Sequence, residues 1–187
     1  MSQSLFLSNR KFLILDLEMN QPSGDVIQIG AVAGDPFEGK IHEKFNQYVR
    51  INEPLSPKII RLTKITDQLL YTKGDTLENA VKKLKKFMEK NEVFDCPVSW
   101  GLDGEYLKDR LYQKRINIEL FSDDVDFNVK KFYQFYCSAQ GKNMKGGVKK
   151  ACKTLGYPFI GQEHNALDDA YNTFVILREL VKFLPKD

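Results

Sequence analysis

Residues Leu13 to Glu18 read Leu-Ile-Leu-Asp-Leu-Glu, two acids set two apart in an otherwise apolar run. Side chains alternate across a strand, so Asp16 and Glu18 project from one face of the pleat while Leu15 and Leu17 point to the other. Two like charges side by side on a buried face are costly unless a cation neutralises them, and hard oxygen ligands paired this closely suit Mg2+ or Mn2+. Taken alone, such a triplet is more often a strand end whose acids simply meet water, so its neighbours have to decide.

Working outward, Lys11 to Met19 (KFLILDLEM) and Asp25 to Ala33 (DVIQIGAVA) are short, branched and apolar, with the turn Gln21-Pro22-Ser23-Gly24 between them. Ile41 to Ile51 alternates loosely and makes a third strand, entered through Gly34, Pro36 and Gly39. The economical topology is an antiparallel meander of three. Ser56-Pro57 opens a short helix over Lys58 to Ile65, and Leu77 to Lys90 is amphipathic, with Leu77, Val81, Leu84 and Met88 at helical spacing. Its lysines Lys82, Lys83, Lys85 and Lys86 read as a solvated face, without functional weight.

Cys96 to Trp100 (CPVSW) is a fourth short strand, followed by a helix to about Arg115 with Tyr106, Leu107 and Leu111 on one side. Asp124 to Cys137 is ambiguous, a strand at its start and an aromatic-rich helix at its end. Gly146 to Leu155 is helical and stops at Gly156; Asn165 to Leu184 is the longest helix, turning Leu167, Ala170, Phe174, Leu177 and Val181 inward. The pattern is α/β, a mixed layer without repeats or linker, with a loose tail over Leu184 to Asp187.

Bulk properties bound the rest. A chain of 187 residues, 42% hydrophobic and 12% aromatic, builds one substantial core, so a single domain over 1–187 is expected, its core about 11–184. No run approaches the ~18 apolar residues of a membrane span, and the opening MSQSLFLSNRK lacks the layout of a signal peptide. An intracellular, cytoplasmic protein that meets no membrane is expected. Cys96, Cys137 and Cys152 are odd in number and form no CxxC pair, so they read as buried or incidental thiols. A net charge of +3, from 28 basic and 25 acidic residues, permits nucleic-acid binding without arguing for it.

More acids stand at element boundaries. Asp103 follows CPVSW at the carboxyl end of a strand, where open α/β sheets place their sites; its bland role is to cap the next helix. His164 and Asp169 open the last helix in GQEHNALDDA, where His164 could equally be a capping or crevice residue; His42 reads as an ordinary strand residue. At ~100° per residue Asp168 lies nearer the face of His164 than Asp169 does, an argument that lapses if His164 belongs to the preceding loop.

With these residues in view, the chain resembles the DEDDh family of 3′–5′ exonucleases, of the ribonuclease H-like superfamily. Asp16 and Glu18 in LDLEMN match its first motif, Asp103 in SWGLDGEYL its second, and His164 with Asp169 in HNALDDA its third. The third match favours Asp169 over Asp168. LSPKIIRLTKIT, SWGLD and GVKKACKTLGYPFIGQEHNALDDAYNT are most similar to the histone-mRNA-exonuclease and KapD-like branch, although Lys64 stands where LTGIT has glycine and the second motif is one residue shorter. The resemblance runs from about Phe12 to Leu184.

It implies a ribonuclease H-like five-stranded sheet, three strands antiparallel and then parallel ones, flanked by helices. It also implies hydrolysis of single-stranded nucleic acid from the 3′ end, RNA before DNA, releasing 5′-mononucleotides. Two divalent cations, Mg2+ or Mn2+, would be held by Asp16, Glu18, Asp103 and Asp169, with Asp16 bridging both. His164 would take the proton of the attacking water. Met19, Asn20, Leu62 and Trp100 would pack against the last nucleotide. A DNA-proofreading exonuclease, or a non-catalytic nucleic-acid adaptor of the same fold, are the alternatives; no protein partner is indicated.

Overall fold

The computed structural model describes residues 11–94, 96–121 and 126–184. The opening ten residues, the start of the ambiguous Asp124–Cys137 segment and the last three residues of the expected tail lie outside the described residues.

Strand β1 (Phe12–Met19) forms the middle of the sheet, because its apolar residues leave no face for solvent along most of its length. Strands β2 (Val26–Asp35) and β3 (Lys40–Tyr48) complete the antiparallel meander, with Asp16 opposite Gly30 and Ile29 opposite Gln47. On the other side of β1 the short strands β4 (Val98–Ser99) and β5 (Phe127–Asn128) add in parallel, giving the order β3-β2-β1-β4-β5. This is the expected mixed sheet.

Seven helices flank it among the described residues: α1 (Pro57–Thr63), α2 (Asp67–Lys73), α3 (Leu77–Asn91), α4 (Asp103–Gln113), α5 (Val129–Ala139), α6 (Val148–Thr154) and α7 (Ala166–Val181). Helix α2 had no counterpart in the sequence reading. It is seven residues long, capped by Thr66 Oγ1 accepting from Leu69 N–H, and buries Leu70 alone, too little to give a periodic signal. Lys64 closes α1 in the left-handed region at φ 61°. Among the described residues no helix is long and apolar enough to cross a membrane.

The alternation along β1 sorts the core into two layers. Leu13, Leu15 and Leu17 meet Val81, Leu84, Leu107 and Leu111 of α3 and α4. Ile14, on the opposite face, meets the layer of Tyr133, Cys152, Phe174 and Leu177 from α5, α6 and α7. Asp16 and Glu18 share the face of Ile14 by the same alternation, so they are turned toward α7. On α3, Lys82 pairs with Glu78 at 2.6 Å and Lys83 with Asp75 at 3.0 Å, both on the outer surface. All three cysteines are free thiols, Cys137 and Cys152 buried.

Candidate active site

The site forms where β1, the β4–α4 corner and the amino end of α7 converge. Glycine at position 30 makes that approach possible, since a Cβ there would stand 2.1 Å from the Ala166 carbonyl carbon and 2.2 Å from Leu167 N. The first turn of α7 thus lies directly on β2, across from Asp16. Gln28, fully buried, fixes the approach: its Oε1 accepts from Ala166 N–H at 3.1 Å and its Nε2 donates to Asn46 at 2.9 Å. Sequence reasoning passed over both residues, although an isolated glycine within a strand is itself a sign of close backbone contact.

Asp103 is the first residue of α4, and the capping role open to it in the sequence falls elsewhere. Leu102 occupies the cap position, and Asp126 accepts the N–H groups of Gly104 and Glu105 at 2.7 and 3.2 Å. The Asp103 carboxylate instead accepts from Leu17 N–H at 3.2 Å, which docks the β4–α4 corner between Asp16 and Glu18.

His164 lies in the loop before α7, at φ 63°, so the angular argument for Asp168 lapses. Asp168 is occupied in holding that loop, accepting from Gln162 N–H at 2.8 Å. Asp169 accepts the His164 N–H at 2.8 Å, and ligand atoms of Glu18, His164 and Asp169 all lie within 4.8 Å of one another. Asn165 caps the helix, leaving the exposed His164 imidazole free of that duty.

The carboxylates crowd one another. Burial, then the charges of Asp103, Asp169 and Glu18, hold the Asp16 carboxyl well above the ordinary range. Burial, then the charges of Asp169 and Asp103, push Glu18 up to about 8. Asp169 rises to about 7, and Asp103 to about 6, in each case chiefly through burial and against a backbone hydrogen bond that lowers it. None of the four forms an ion pair among the described residues. An all-oxygen set of mutually repelling acids without a basic partner fits divalent cations, whose charge would relieve the repulsion.

The candidate nucleotide contacts fall in different settings. Leu62 is 36% exposed and outside every core cluster, while Gln162 Nε2 donates to Thr63 O at 2.8 Å and ties the end of α1 to the His164 loop. Met19 is half-buried against the first core layer. Asn20 is turned inward: its amide nitrogen donates to Glu53 at 2.7 Å and its oxygen accepts from Ser56 N–H at 2.9 Å, fixing the loop that leads to α1. Trp100 packs on Tyr133, with ring centroids 5.5 Å apart, and its buried indole N–H has no hydrogen-bond partner among the described residues.

Comparison with known proteins gives a consistent picture. The family model described as Exonuclease (RNase_T) matches residues 13–177. The probable 3′-5′ exonuclease KapD of Bacillus subtilis strain 168 is 25% identical over 198 residues, spanning 96% of this chain and 90% of that protein. Among solved structures, the nuclease domain of 3′hExo, a DEDDh family member bound to rAMP, superposes with a TM-score of 0.78 at 23% identity over 94% of each chain. A 3′-exonuclease described in 3′-end specific recognition of a histone mRNA stem-loop gives 0.75 at 22% identity, covering 92% of this chain and 82% of that one.

Proposed function

This chain belongs to the exonuclease family described by the RNase_T model and is a hydrolytic nuclease, and from that premise we propose that it shortens single-stranded RNA from the 3′ end, releasing 5′-mononucleotides. The observation that carries this reading is the convergence of Glu18, His164 and Asp169 within 4.8 Å, beside the mutually repelling Asp16 and Asp103. Asp16, Glu18, Asp103 and Asp169 would hold two Mg2+ or Mn2+ ions. Such a pair supplies charge stabilisation for both the attacking and the leaving oxygen of an in-line displacement.

The chain's own residues do the rest. His164, exposed and within reach of the carboxylates, takes the proton of the attacking water as general base. Asp169 holds the backbone of the loop that carries it by accepting the His164 N–H. Leu62 and Met19 offer apolar surface for the terminal sugar and base, with Asn20 fixing the intervening loop, and Trp100 closes the corner beside Asp103. RNA is favoured because the relatives bound to rAMP and recognising a histone mRNA stem-loop share 23% and 22% identity with the chain, against 16–18% for relatives bound to DNA.

The test incubates 5′-labelled RNA and DNA of equal sequence, with free or blocked 3′ ends, in Mg2+, Mn2+ or chelator. A metal-dependent ladder shortening from the free 3′ end, faster on RNA, is expected. Cleavage indifferent to the 3′ block would overturn the end-directed reading, and faster loss of DNA would overturn the substrate.

A further inference from the structure

The chain's charge is unevenly distributed. The 36 residues from Phe127 to Gln162 contain seven lysines and no acid, leaving 21 basic against 25 acidic residues elsewhere, so the modest net +3 averages a basic segment with an acidic remainder. All seven lysines are exposed. Three of the five lysines of α3 are handled differently: Lys82, Lys83 and Lys90 each pair with a carboxylate at 3.0 Å or less. In the basic segment, Lys145, Lys150 and Lys153 have no ion pair among the described residues.

This surface begins at the site. Lys149 Nζ stands 3.1 Å from Glu163, the residue before His164. On α6 the side chains of Lys149, Lys150 and Lys153 fall within about 100° of one another, while Ala151 and Cys152 pack inward against α7. Lys145 is exposed in the preceding loop, and Gly146 next to it lies against the Lys150 side chain. The pair Lys149–Glu163 is exposed on both sides, at 61% and 44%, and such pairs are weak enough for a phosphate to displace the carboxylate.

A site built of four carboxylates repels a polyanion, so a strand that leads its 3′ end there needs compensating charge along its length. We propose that Lys145, Lys149, Lys150 and Lys153 form a track for the phosphates of single-stranded nucleic acid, on the 5′ side of the nucleotide being removed. The proposal rests on the exonuclease reading of the site. It assigns affinity to this surface and chemistry to the carboxylates.

The test replaces the four lysines together by glutamine, and in a second variant by arginine. Binding of a short single-stranded RNA is followed by fluorescence anisotropy in Ca2+ at several salt concentrations. For a single strand each phosphate contact contributes ~0.7 to the slope of log K against log salt, so the glutamine variant should have a slope shallower by ~2.8, equivalent to ~50-fold between 50 and 200 mM salt. The arginine variant should retain the wild-type slope. The KM for RNA should rise in the glutamine variant, while hydrolysis of a mononucleotide p-nitrophenyl ester, which fills the site alone, is unchanged.

Equal slopes in wild type and glutamine variant, or equal losses on ester and RNA, would overturn the track. A wild-type protein that shortens no nucleic acid, yet loses salt-dependent RNA binding with these lysines, would support the track and overturn the catalytic reading instead.

Discussion

Asp169→Asn should stabilise the cation-free protein above neutral pH while abolishing its activity. Folding takes this carboxyl from an ordinary 3.8 to about 7, through burial first and then the charges of Glu163, Asp168 and Asp103, against the bond from the His164 N–H. A folded-state value raised above the unfolded one means that the folded chain binds this proton more tightly. Its stabilising contribution is therefore whole below pH 3.8 and is lost as pH climbs through about 7. A difference of about 3 in pKa, at 1.36 kcal/mol each, caps that loss at ~4 kcal/mol; water in the open site and adjustment of the neighbouring acids reduce it to ~2 kcal/mol. Asparagine keeps an oxygen for the His164 N–H, now 2.8 Å away, and removes the charge. In a chain of this size ~2 kcal/mol corresponds to a Tm higher by ~4–8 °C. Thermal unfolding in chelator at about pH 8.5 and about pH 4.5 measures it, with the advantage of the variant shrinking at the lower pH. Mn2+ should raise the Tm of the wild type more than that of the variant, because the cation then relieves the same repulsion. A variant no more stable than wild type at the higher pH, or equally favoured at both, would refute the electrostatic account of the site.

Asp16→Ala should eliminate metal-dependent hydrolysis with an unchanged circular dichroism spectrum; retained activity would contradict the assignment. His164→Ala should lower kcat by ~10²–10⁴ with RNA affinity preserved, the range for a lost general base, and single-turnover kinetics would expose unchanged chemistry if the histidine has no such role. Gly30→Ala should cost about 1–3 kcal/mol and reduce kcat, because the new methyl meets the Ala166–Leu167 backbone at 2.1–2.2 Å rather than a side chain that can move. Denaturant melts beside activity assays would show whether both effects appear.

What was legible in the sequence had a short-range cause. The period-two pattern around Leu13–Glu18 requires a strand with both acids on one face, and the 3.6-residue pattern from Leu167 to Val181 requires the helix that meets it. What was not legible depended on backbone contacts between distant segments. Gln28 reads as a polar interruption in β2 until the amino end of α7 supplies the Ala166 N–H that it accepts. The angular argument for Asp168 over Asp169 depended on His164 being helical, and His164 instead stands before α7 in a left-handed conformation, which helical angles alone cannot anticipate. Asp103 escaped the capping role because Asp126, distant in sequence, took it. The basic segment was present in the sequence throughout, but summing charge over the whole chain concealed it behind +3.

The placement of the five residues separates two demands that a hydrolytic site makes. Asp16 and Glu18 stand on the central strand, Asp103 is fastened to that strand through Leu17 N–H, and Asp169 sits on a helix pinned by Gly30 and Gln28. Four carboxylates held on rigid elements cannot move apart to relieve their repulsion, so their mutual charge persists as a standing preference for cations. His164 alone comes from a loop, exposed and joined to the rest through its backbone N–H. In the proposed reaction a general base must accept a proton and release it to solvent, and an exposed imidazole on a short loop can do so without disturbing the four carboxylates. The carboxylates should therefore govern cation affinity and the histidine the rate, and the Asp169 and His164 substitutions test these two properties separately.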